Sequence, residues 1–555
     1  MKDLLNKEIE KICKKNKLMG ANVVLFDKEQ IIYDFNFGYV NKKQNIKSTN
    51  GSLYMIGSNT KMMTAICILK LMEEGILSLD DDIRKFIPEF EVKSTFDYDK
   101  ITIGNLLMHR SGLVGDLYSL IVDRTRDFHE VISELKNTYL TAMPGSMFAY
   151  SNVGYTVLGI IIERASGLTY QEYIEEIIAK PLGIGIHFWQ SEEEMISFSE
   201  VVSLCYNKKG CDVEEPLCTM LPAGSSTYMS IEDFAKFGQI FLKKDDTILK
   251  KETLALMETL ECPEEIDNEL GNGGYGLLHN RYNLGEGVGK ILGHGGDTMY
   301  HHSAFYYMPE HNIGVAVFTN SEQAANAAGA MAHKAVISYF AKKGIVLEKN
   351  SFIYNQSSGE CDRYAGKYIT PLGIFKIKID RKGKLVTKIK GVSVSLQFCD
   401  DGFWKISLNN LLSQLPLLKN AVEKFRVKFS VYAGQDVLII EQCDEYNKLQ
   451  MIFGCRYEET EIPASFVNAC GQYEIVNKNL QDKNGSCRLS IKDNTLLLKV
   501  KLLGTTGSAY LRAVSDNLAF VDGYGRSTGN EVVLKEEAGE LYLSWCGLIF
   551  RKVKK

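Results

Sequence analysis

The sequence predicts an α+β protein, an α/β sandwich followed by two small antiparallel β-barrels, and three observations carry that reading. Strand-like apolar runs at residues 20–56 and 289–320 bracket segments with helical periodicity, so a sheet shares its core with helices. Beyond Ala341 helix-length patterns nearly vanish, and short alternating strands with Gly, Asn and Asp turns take over. Within that region Ala365-Gly366-Lys367-Tyr368, with the run Phe375 to Ile389, is echoed by Cys470-Gly471-Gln472-Tyr473, with the run Cys487 to Val500. The two Gly-x-Tyr positions lie 105 residues apart, which suggests a duplicated β unit.

Met1 to Leu18 mixes Lys and Glu with Leu and Ile at helical spacing and lacks the long apolar core of a secretory signal. Val23-Val24-Leu25-Phe26 and Ile31-Ile32-Tyr33, broken by Asp27-Lys28-Glu29, read as a hairpin. A helix from about Ser58 to Glu74 has apolar residues on nearly every side and is expected to be buried in the domain centre. Pro144-Gly145 signals a turn; a helix from about Asn152 to Ser166, closed by Gly167, and another from Thr169 to Ile178 follow. Ile231 to Lys243 is a further amphipathic helix. Residues 1–345 are read as the first domain, 346–360 as a linker enriched in Asn, Ser and Gln, and 361–462 and 463–555 as the two barrels.

Composition excludes several classes. A length of 555 residues exceeds one ordinary core. The formal charge of −5, with basic residues scattered among nearly equal numbers of acids, leaves no electrostatic footprint for nucleic acid. No run approaches the uninterrupted apolar length of a membrane span. The 13 cysteines are isolated and without C-x-x-C pairs, the pattern of buried or incidental thiols in a reducing cytoplasm; a Cys487–Cys546 disulfide is the weaker reading.

The chemistry is concentrated in three short stretches. Ser58 and Lys61, in Gly57-Ser58-Asn59-Thr60-Lys61, stand three apart, which places a nucleophile and a base on one helical face. A hydroxyl becomes a useful nucleophile only when something takes its proton, and a Lys can do so only when neutral. Its pKa must fall by roughly 3 units from about 10.4, about 4 kcal/mol that burial and nearby cations can supply. Tyr150-Ser151-Asn152 places a Tyr and an Asn two apart on an extended or loop segment, and His294-Gly295-Gly296 offers two glycines that let a backbone approach closely. Alone, Ser58 reads equally as a helix N-cap followed by a solvated Lys.

Together the three triplets resemble the penicillin-recognising serine hydrolases, specifically the branch of class C β-lactamases, D-aminopeptidases and related esterases. Ile101 to Leu113, Pro144 to Gly183 and Pro222-Ala223-Gly224-Ser225-Ser226 are similar to that family and occur in its order. The resemblance implies a β-lactamase-like domain with a central antiparallel sheet and a helical region, then two lipocalin-like barrels. It implies an acyl-enzyme on Ser58, proton handling by Lys61 and Tyr150, and Asn152 bonding the substrate amide and Lys61. It also implies an oxyanion hole from the backbone N–H groups of Ser58 and Asp297, with His294, Gly295 and Gly296 lining the substrate site. Which of Lys61 and Tyr150 is the base stays open. The layout resembles the D-aminopeptidases, in which a barrel loop can reach the cleft and restrict substrate size; barrels as stability or oligomerisation modules are the competing expectation.

His294 stands where β-lactamases and carboxypeptidases usually place the Lys of K-T-G. An imidazole is mostly neutral at pH 7, so recognition of a substrate carboxylate is expected to weaken, which ranks β-lactam hydrolysis below peptide or ester cleavage. His301 and His302 invite a metal reading, but adjacent strand residues point to opposite faces and no acidic or Cys partner has ligand spacing. No metal or other cofactor is expected. His109 is read as packing around a helix start at Ser111-Gly112, and Tyr275-Gly276 as a loop near the cleft. The expected function is a cytoplasmic serine hydrolase of a small amide, short peptide or ester, most like a D-aminopeptidase. The alternatives are a β-lactamase or carboxylesterase with the same machinery, or a non-catalytic binder of peptidoglycan fragments or small ligands. Nucleic-acid and membrane partners are not expected, and a homo-oligomer is compatible with the sequence.

Overall fold

The computed structural model describes residues 2–121, 123, 126–189, 201–213, 220–224, 226–259, 272–279, 284, 288–347, 352, 354–355, 362–389, 391–408, 422–444, 447–477 and 484–554. Most of the expected linker 346–360, and much of the loop 260–287, lie outside the described residues.

An eight-stranded antiparallel sheet forms the centre of the first domain. Its order is Ile46–Lys47, Ile31–Asn41, Gly20–Phe26, Ile313–Thr319, His302–Met308, Leu292–Asp297, Leu278–His279 and Asn272–Gly273. The expected hairpin is present, with Val23 opposite Phe35 and Leu25 opposite Tyr33. Both faces are covered, and the two-residue period divides the side chains between them. Val24, Phe26, Ala316 and Phe318 join the core under the helical region. Ala21, Val23, Leu25, Val315 and Val317 join a second core under the helices Lys2–Lys15 and Ala325–Lys342.

The helix expected from Ser58 to Glu74 begins later. Gly57–Asn59 form a single 3-10 turn and the α-helix runs Thr60–Glu73, buried on every side from Thr60 to Leu69. Gly57 has φ +56°, a conformation that costs glycine little and reorients the chain just before Ser58. The helix Asn152–Ser166 is capped by Ser151, which accepts from the Gly154 N–H at 2.9 Å, and ends at Gly167 in the left-handed conformation, as its sequence signals. The expected 169–178 helix is present, as α-helix Tyr170–Ile174 running on through a π-helical stretch, Glu175–Ala179, to Lys180–Leu182.

Each C-terminal unit is a closed eight-stranded antiparallel barrel, with strands between Gly366 and Tyr457 and between Gly471 and Lys552. The echoed tyrosines occupy equivalent places. Tyr368 and Tyr473 lie in the first strand of their barrels, both are buried, and each donates to the carbonyl four residues back, Tyr364 at 3.2 Å and Ala469 at 2.6 Å. Cys487 and Cys546 are buried free thiols.

The second barrel docks on the helical region. The Tyr118 N–H donates to the Cys546 carbonyl at 3.0 Å, the Tyr118 ring lies 5.2 Å from Trp545, and Tyr139 meets Phe520 edge to face at 5.6 Å. Gly529 is held against Thr141, where a Cβ would come within 2.6 Å of the Thr141 carbonyl oxygen. The first barrel reaches the same region through the Tyr432 hydroxyl, which accepts from the Phe148 N–H at 3.2 Å.

Candidate active site

The sheet edge, the 3-10 turn and the two helices converge on Ser58. Lys61, fully buried as the second residue of its helix, donates to Ser58 Oγ at 3.0 Å, to Asn152 Oδ1 at 2.7 Å and, by a short contact, to the Ala223 carbonyl. Three acceptors match the three N–H donors of an ammonium, and two of them remain served if the amine is neutral. Asn152 is the first residue of its helix, so Ser151 caps that helix while its two neighbours, Tyr150 and Asn152, both face the site.

Tyr150 is buried with its ring centroid 5.0 Å from Lys61 Nζ. Burial pushes its phenol up, while the Arg526 guanidinium and a hydrogen bond with Ser58 pull it down, and Asp116 and Asp297 push it up. The cation that most opposes burial is therefore Arg526.

Glycines set the backbone spacing around Ser58. A Cβ on Gly296 would lie 2.0 Å from the Ile56 carbonyl oxygen, and one on Gly224 would lie 2.2 Å from the Gly57 oxygen and 2.8 Å from the Ser58 nitrogen. The Ser58 turn is thus clasped between the 292–297 strand and the 221–224 turn, and a Cβ on Gly57 would come 3.0 Å from the Asp297 nitrogen. Ser303 Oγ donates to the Ile56 carbonyl at 2.7 Å and accepts from Asn59 Nδ2 at 2.7 Å, tying the neighbouring strand to the same turn.

His294 is buried and its pKa is lowered to about 3, first by burial and then by the Lys61 charge. Its Nδ1 lies 2.5 Å from the Gly295 carbonyl oxygen, the contact of a neutral ring donating there. The third triplet therefore contributes no cation at neutral pH, although Arg526 brings one into the cleft from the second barrel.

Several residues of the site carried no sequence signal. Asp116, almost fully buried, accepts from Asn152 Nδ2 at 2.8 Å and from Arg526 Nη2 at 2.8 Å, and its second oxygen lies 2.8 Å from Arg526 Nε. His109 is a packing residue, as expected, but around a different element. No helix starts at Ser111-Gly112; the imidazole lies between the rings of Tyr150, at 4.2 Å, and Tyr155, at 4.8 Å, and Nδ1 accepts from the Ser151 N–H at 3.0 Å. It is the platform on which the Tyr150-Ser151-Asn152 segment rests. Gly276 packs against Ala65 of the Lys61 helix, with Tyr275 in the same core.

His302 has the acidic partner that spacing did not suggest, Asp297 Oδ1 at 2.6 Å from Nδ1, and His301 Nδ1 lies 3.6 Å from Cys205 Sγ. Among the described residues no group of three or more His, Cys, Asp or Glu side chains is placed to hold a metal ion.

Two cavities flank Ser58. One, of ≈ 280 Å³, is walled by apolar side chains including Met55, Ile121, Met220, Met299 and Leu503, with Asp116 and Arg526 at one edge. The other, of ≈ 230 Å³, is lined by Tyr150, His294, Asp297, Tyr306 and Asn326, again with Arg526. Leu503 and Arg526 both belong to turns of the second barrel.

The sheet, the helical region and the Ser58–Lys61 cleft define a protein of the β-lactamase and penicillin-binding-protein class. More particularly, the chain belongs to the beta-lactamase family, whose family model matches residues 5–337. Protein flp of Staphylococcus aureus strain N315 is 32% identical over 180 residues, 32% of this chain and 36% of that protein. A putative D-alanyl-D-alanine carboxypeptidase of Escherichia coli K12 is 36% identical over 188 residues, 30% of this chain and 42% of that protein. The chain thus spans about two fifths or less of the length of these curated relatives. Among solved structures, an octameric penicillin-binding protein homologue from Pyrococcus abyssi covers 99% of both chains at 22% identity with a TM-score of 0.55. SurE covers 81% of this chain and 99% of its own at 18% identity with a TM-score of 0.58. These two likenesses are of fold. No helix among the described residues is long and apolar enough to cross a membrane.

Proposed function

We propose that the protein is a serine hydrolase forming an acyl-enzyme through Ser58 on a small amide, short peptide or ester, most like a D-aminopeptidase or other D-stereospecific peptidase. The observation that carries this reading is the setting of Lys61 Nζ between Ser58 Oγ, Asn152 Oδ1 and the Ala223 carbonyl. A neutral amine there keeps two N–H bonds on the two fixed acceptors and turns its lone pair toward the Ser58 hydroxyl. Ser58 Oγ then bonds to the substrate carbonyl carbon as its proton passes to Lys61, and the oxyanion falls to the Ser58 and Asp297 N–H groups. Tyr150, whose phenol burial keeps protonated, donates to the leaving nitrogen or oxygen and recovers a proton from Lys61. Water cleaves the ester by the reverse sequence.

The cavities argue for a small substrate, with an apolar group in the 280 Å³ space beside Leu503. The second barrel supplies part of that wall, which supports a role in limiting substrate size. The D-configuration is supported by the Escherichia coli relative, a putative D-alanyl-D-alanine carboxypeptidase, and is in keeping with a solved structure of SurE with D-Leu, 17% identical to this chain. The mechanism requires no cofactor. We further propose the domain division at residues 345, 361 and 463, and a reducing, cytoplasmic setting in keeping with the ten free thiols among the described residues. A homo-oligomer is in keeping with the octameric relative. Treatment with an aryl phosphonate followed by intact mass spectrometry should add one adduct, on Ser58, absent from Ser58→Ala. A panel of D- and L-amino acid amides and p-nitrophenyl esters should show turnover of one enantiomer. Absence of the adduct, or far faster hydrolysis of a chromogenic cephalosporin, overturns the reading.

A further inference from the structure

We propose that Arg526, carried on a turn of the second barrel, is a positioning residue of the acyl-transfer machinery. By holding Asp116 it fixes the Asn152 amide with its oxygen on Lys61, so that the machinery is complete only with the barrel docked. The inference rests on the Ser58 acyl-enzyme reading and extends it to a residue far outside the family domain.

The contacts form one chain. Arg526 engages both Asp116 oxygens, Nη2 on Oδ1 at 2.8 Å and Nε beside Oδ2 at 2.8 Å. Asp116 Oδ1 accepts from Asn152 Nδ2 at 2.8 Å, and Asn152 Oδ1 accepts from Lys61 Nζ at 2.7 Å. An amide presents one acceptor and one donor group, and a carboxylate can only accept. The ionised Asp116 therefore decides which way the Asn152 amide faces. A flipped amide would point N–H at Lys61 where an acceptor now stands, weakening the hold that keeps the amine on Ser58.

Asp116 itself is almost fully buried, and a buried carboxylate needs a partner. Arg526 is that partner, and it arrives from a turn pinned at both ends. Gly529 rests on Thr141, Gly523 approaches Ile369 of the first barrel, and the Arg526 carbonyl oxygen and side chain crowd Gly115, one residue before Asp116. A larger residue at 115 would collide with that carbonyl at 2.9 Å, so the loop and the 115–116 segment are built against each other.

The pair also balances charge. Around Lys61 and Tyr150 stand His109, Asp116, Tyr155, His294, Asp297 and Arg526, with Tyr118 beside Asp116 and Arg526, and both histidines are held neutral by burial. Apart from Lys61 itself, Arg526 is then the cation that offsets Asp116 and Asp297.

The test is the pH dependence of Ser58 labelling by a fluorophosphonate reagent, which needs no knowledge of the natural substrate. Arg526→Gln leaves Asp116 uncompensated and should move the acidic limb up by roughly one pH unit, the size expected for a partly screened charge removed a few ångströms away. Asp116→Asn should move it down by a similar amount. The double variant should return the midpoint to that of wild type while labelling at least tenfold more slowly, because Asn152 is no longer held. Arg526→Lys should keep the wild-type midpoint, and it carries the comparison if the glutamine variant fails to fold. Slower labelling with unmoved midpoints would make the pair a structural latch and overturn the proposal. Midpoints moving in the same direction would overturn it too. A wild type taking no adduct at any pH would instead overturn the acyl-enzyme reading beneath it.

Discussion

Gly295→Ala and Gly296→Ala add the same methyl group to adjacent residues of one strand and should behave in opposite ways. At Gly296 the new Cβ would sit 2.0 Å from the Ile56 carbonyl oxygen and 2.2 Å from Ser303 Oγ. The Ser303 side chain can turn aside, but Ile56 is backbone and leads straight into the Ser58 turn. Restoring ordinary contact requires the two backbones to part by about 1 Å or more, a forced repacking typically worth about 1–3 kcal/mol. The displacement falls on the Asp297 N–H, the next donor along the strand. Removing one oxyanion donor typically costs a factor of about 10² to 10³ in the chemical step. At Gly295 the nearest atom is the Ser303 carbonyl oxygen at 3.9 Å, ordinary contact distance, and the methyl would enter the cavity lined by Tyr150 and His294. Replacing a strand glycine whose backbone suits alanine is stabilising by about 0.4–1 kcal/mol. The assay is the midpoint of urea unfolding together with the rate of Ser58 phosphonylation. Gly296→Ala should lose stability and label at least a hundredfold more slowly, whereas Gly295→Ala should hold its stability and label within about tenfold of wild type. Equal labelling rates in the two variants would refute the assignment of Asp297 to the oxyanion hole.

Three further outcomes follow from buried charge. His294, held at about 3 in the fold against about 6.5 unfolded, stays neutral while the unfolded chain takes up a proton. The stability it contributes above pH 6.5 is therefore lost as pH falls toward 3, by up to about 1.4 kcal/mol per pH unit. Urea unfolding at pH 7 and pH 5 should show this decline, and His294→Gln should flatten it; an unchanged slope would contradict the burial. Glu531, beside Tyr139 at the barrel contact, is pushed up to about 7 by burial, so native protein holds a proton there that the unfolded chain releases above about 4.5. That term loses stability as pH rises from 4.5 to 7, and Glu531→Gln should gain up to about 3 kcal/mol at pH 8 with little change at pH 4. In the first barrel Arg426 pairs with Asp401 and the fully buried Glu441 and stacks 3.9 Å from the Phe403 ring. Glu441→Leu should cost about 3 kcal/mol or more by leaving a buried guanidinium underpaired, and adding Arg426→Met should recover much of it, both read by thermal melting.

How much was legible depended on sequence distance. Ser58 and Lys61 are one turn apart, and Tyr150 and Asn152 flank a helix cap, so local spacing could carry them. The Lys61 helix announced its burial because its apolar residues cover every side, and the duplicated barrels announced themselves through a Gly-x-Tyr whose hydroxyl makes the same bond in both. Asp116 and Arg526 could not be read this way. They lie 410 residues apart, and Arg526 sits in a Gly-rich turn, where its side-chain direction is fixed by docking of the barrel rather than by neighbours in sequence. The packing role of His109 is legible but its partner is not: φ of +55° takes it out of the helix that ends at Leu107, and its ring lies 4.2 Å from that of Tyr150, on a left-handed backbone that a non-glycine sequence does not advertise. The 3-10 start at Gly57 has no local signal, because the close approach of Gly296 and Gly224 to that turn is tertiary.

The division of the site between two domains changes which experiment can decide the role of the barrels. Deleting residues 361–555 removes Leu503 and Arg526 together, so any change in substrate size preference would be mixed with loss of the Asp116 partner. Deletion would also bare the apolar surface around Tyr118 and Tyr139 that Trp545 and Phe520 now cover. The truncated domain is therefore expected to unfold at markedly lower urea concentration than the full chain, whether or not the barrel gates the cleft. Leu503→Ala separates the two effects. It enlarges the apolar cavity while leaving the Arg526–Asp116–Asn152 chain in place, so it should admit bulkier acyl groups with the pH midpoint of Ser58 labelling unmoved. A preference that stays unchanged in Leu503→Ala would place the limit on substrate size in the first domain, among Met55, Met220 and Met299, and not in the barrel.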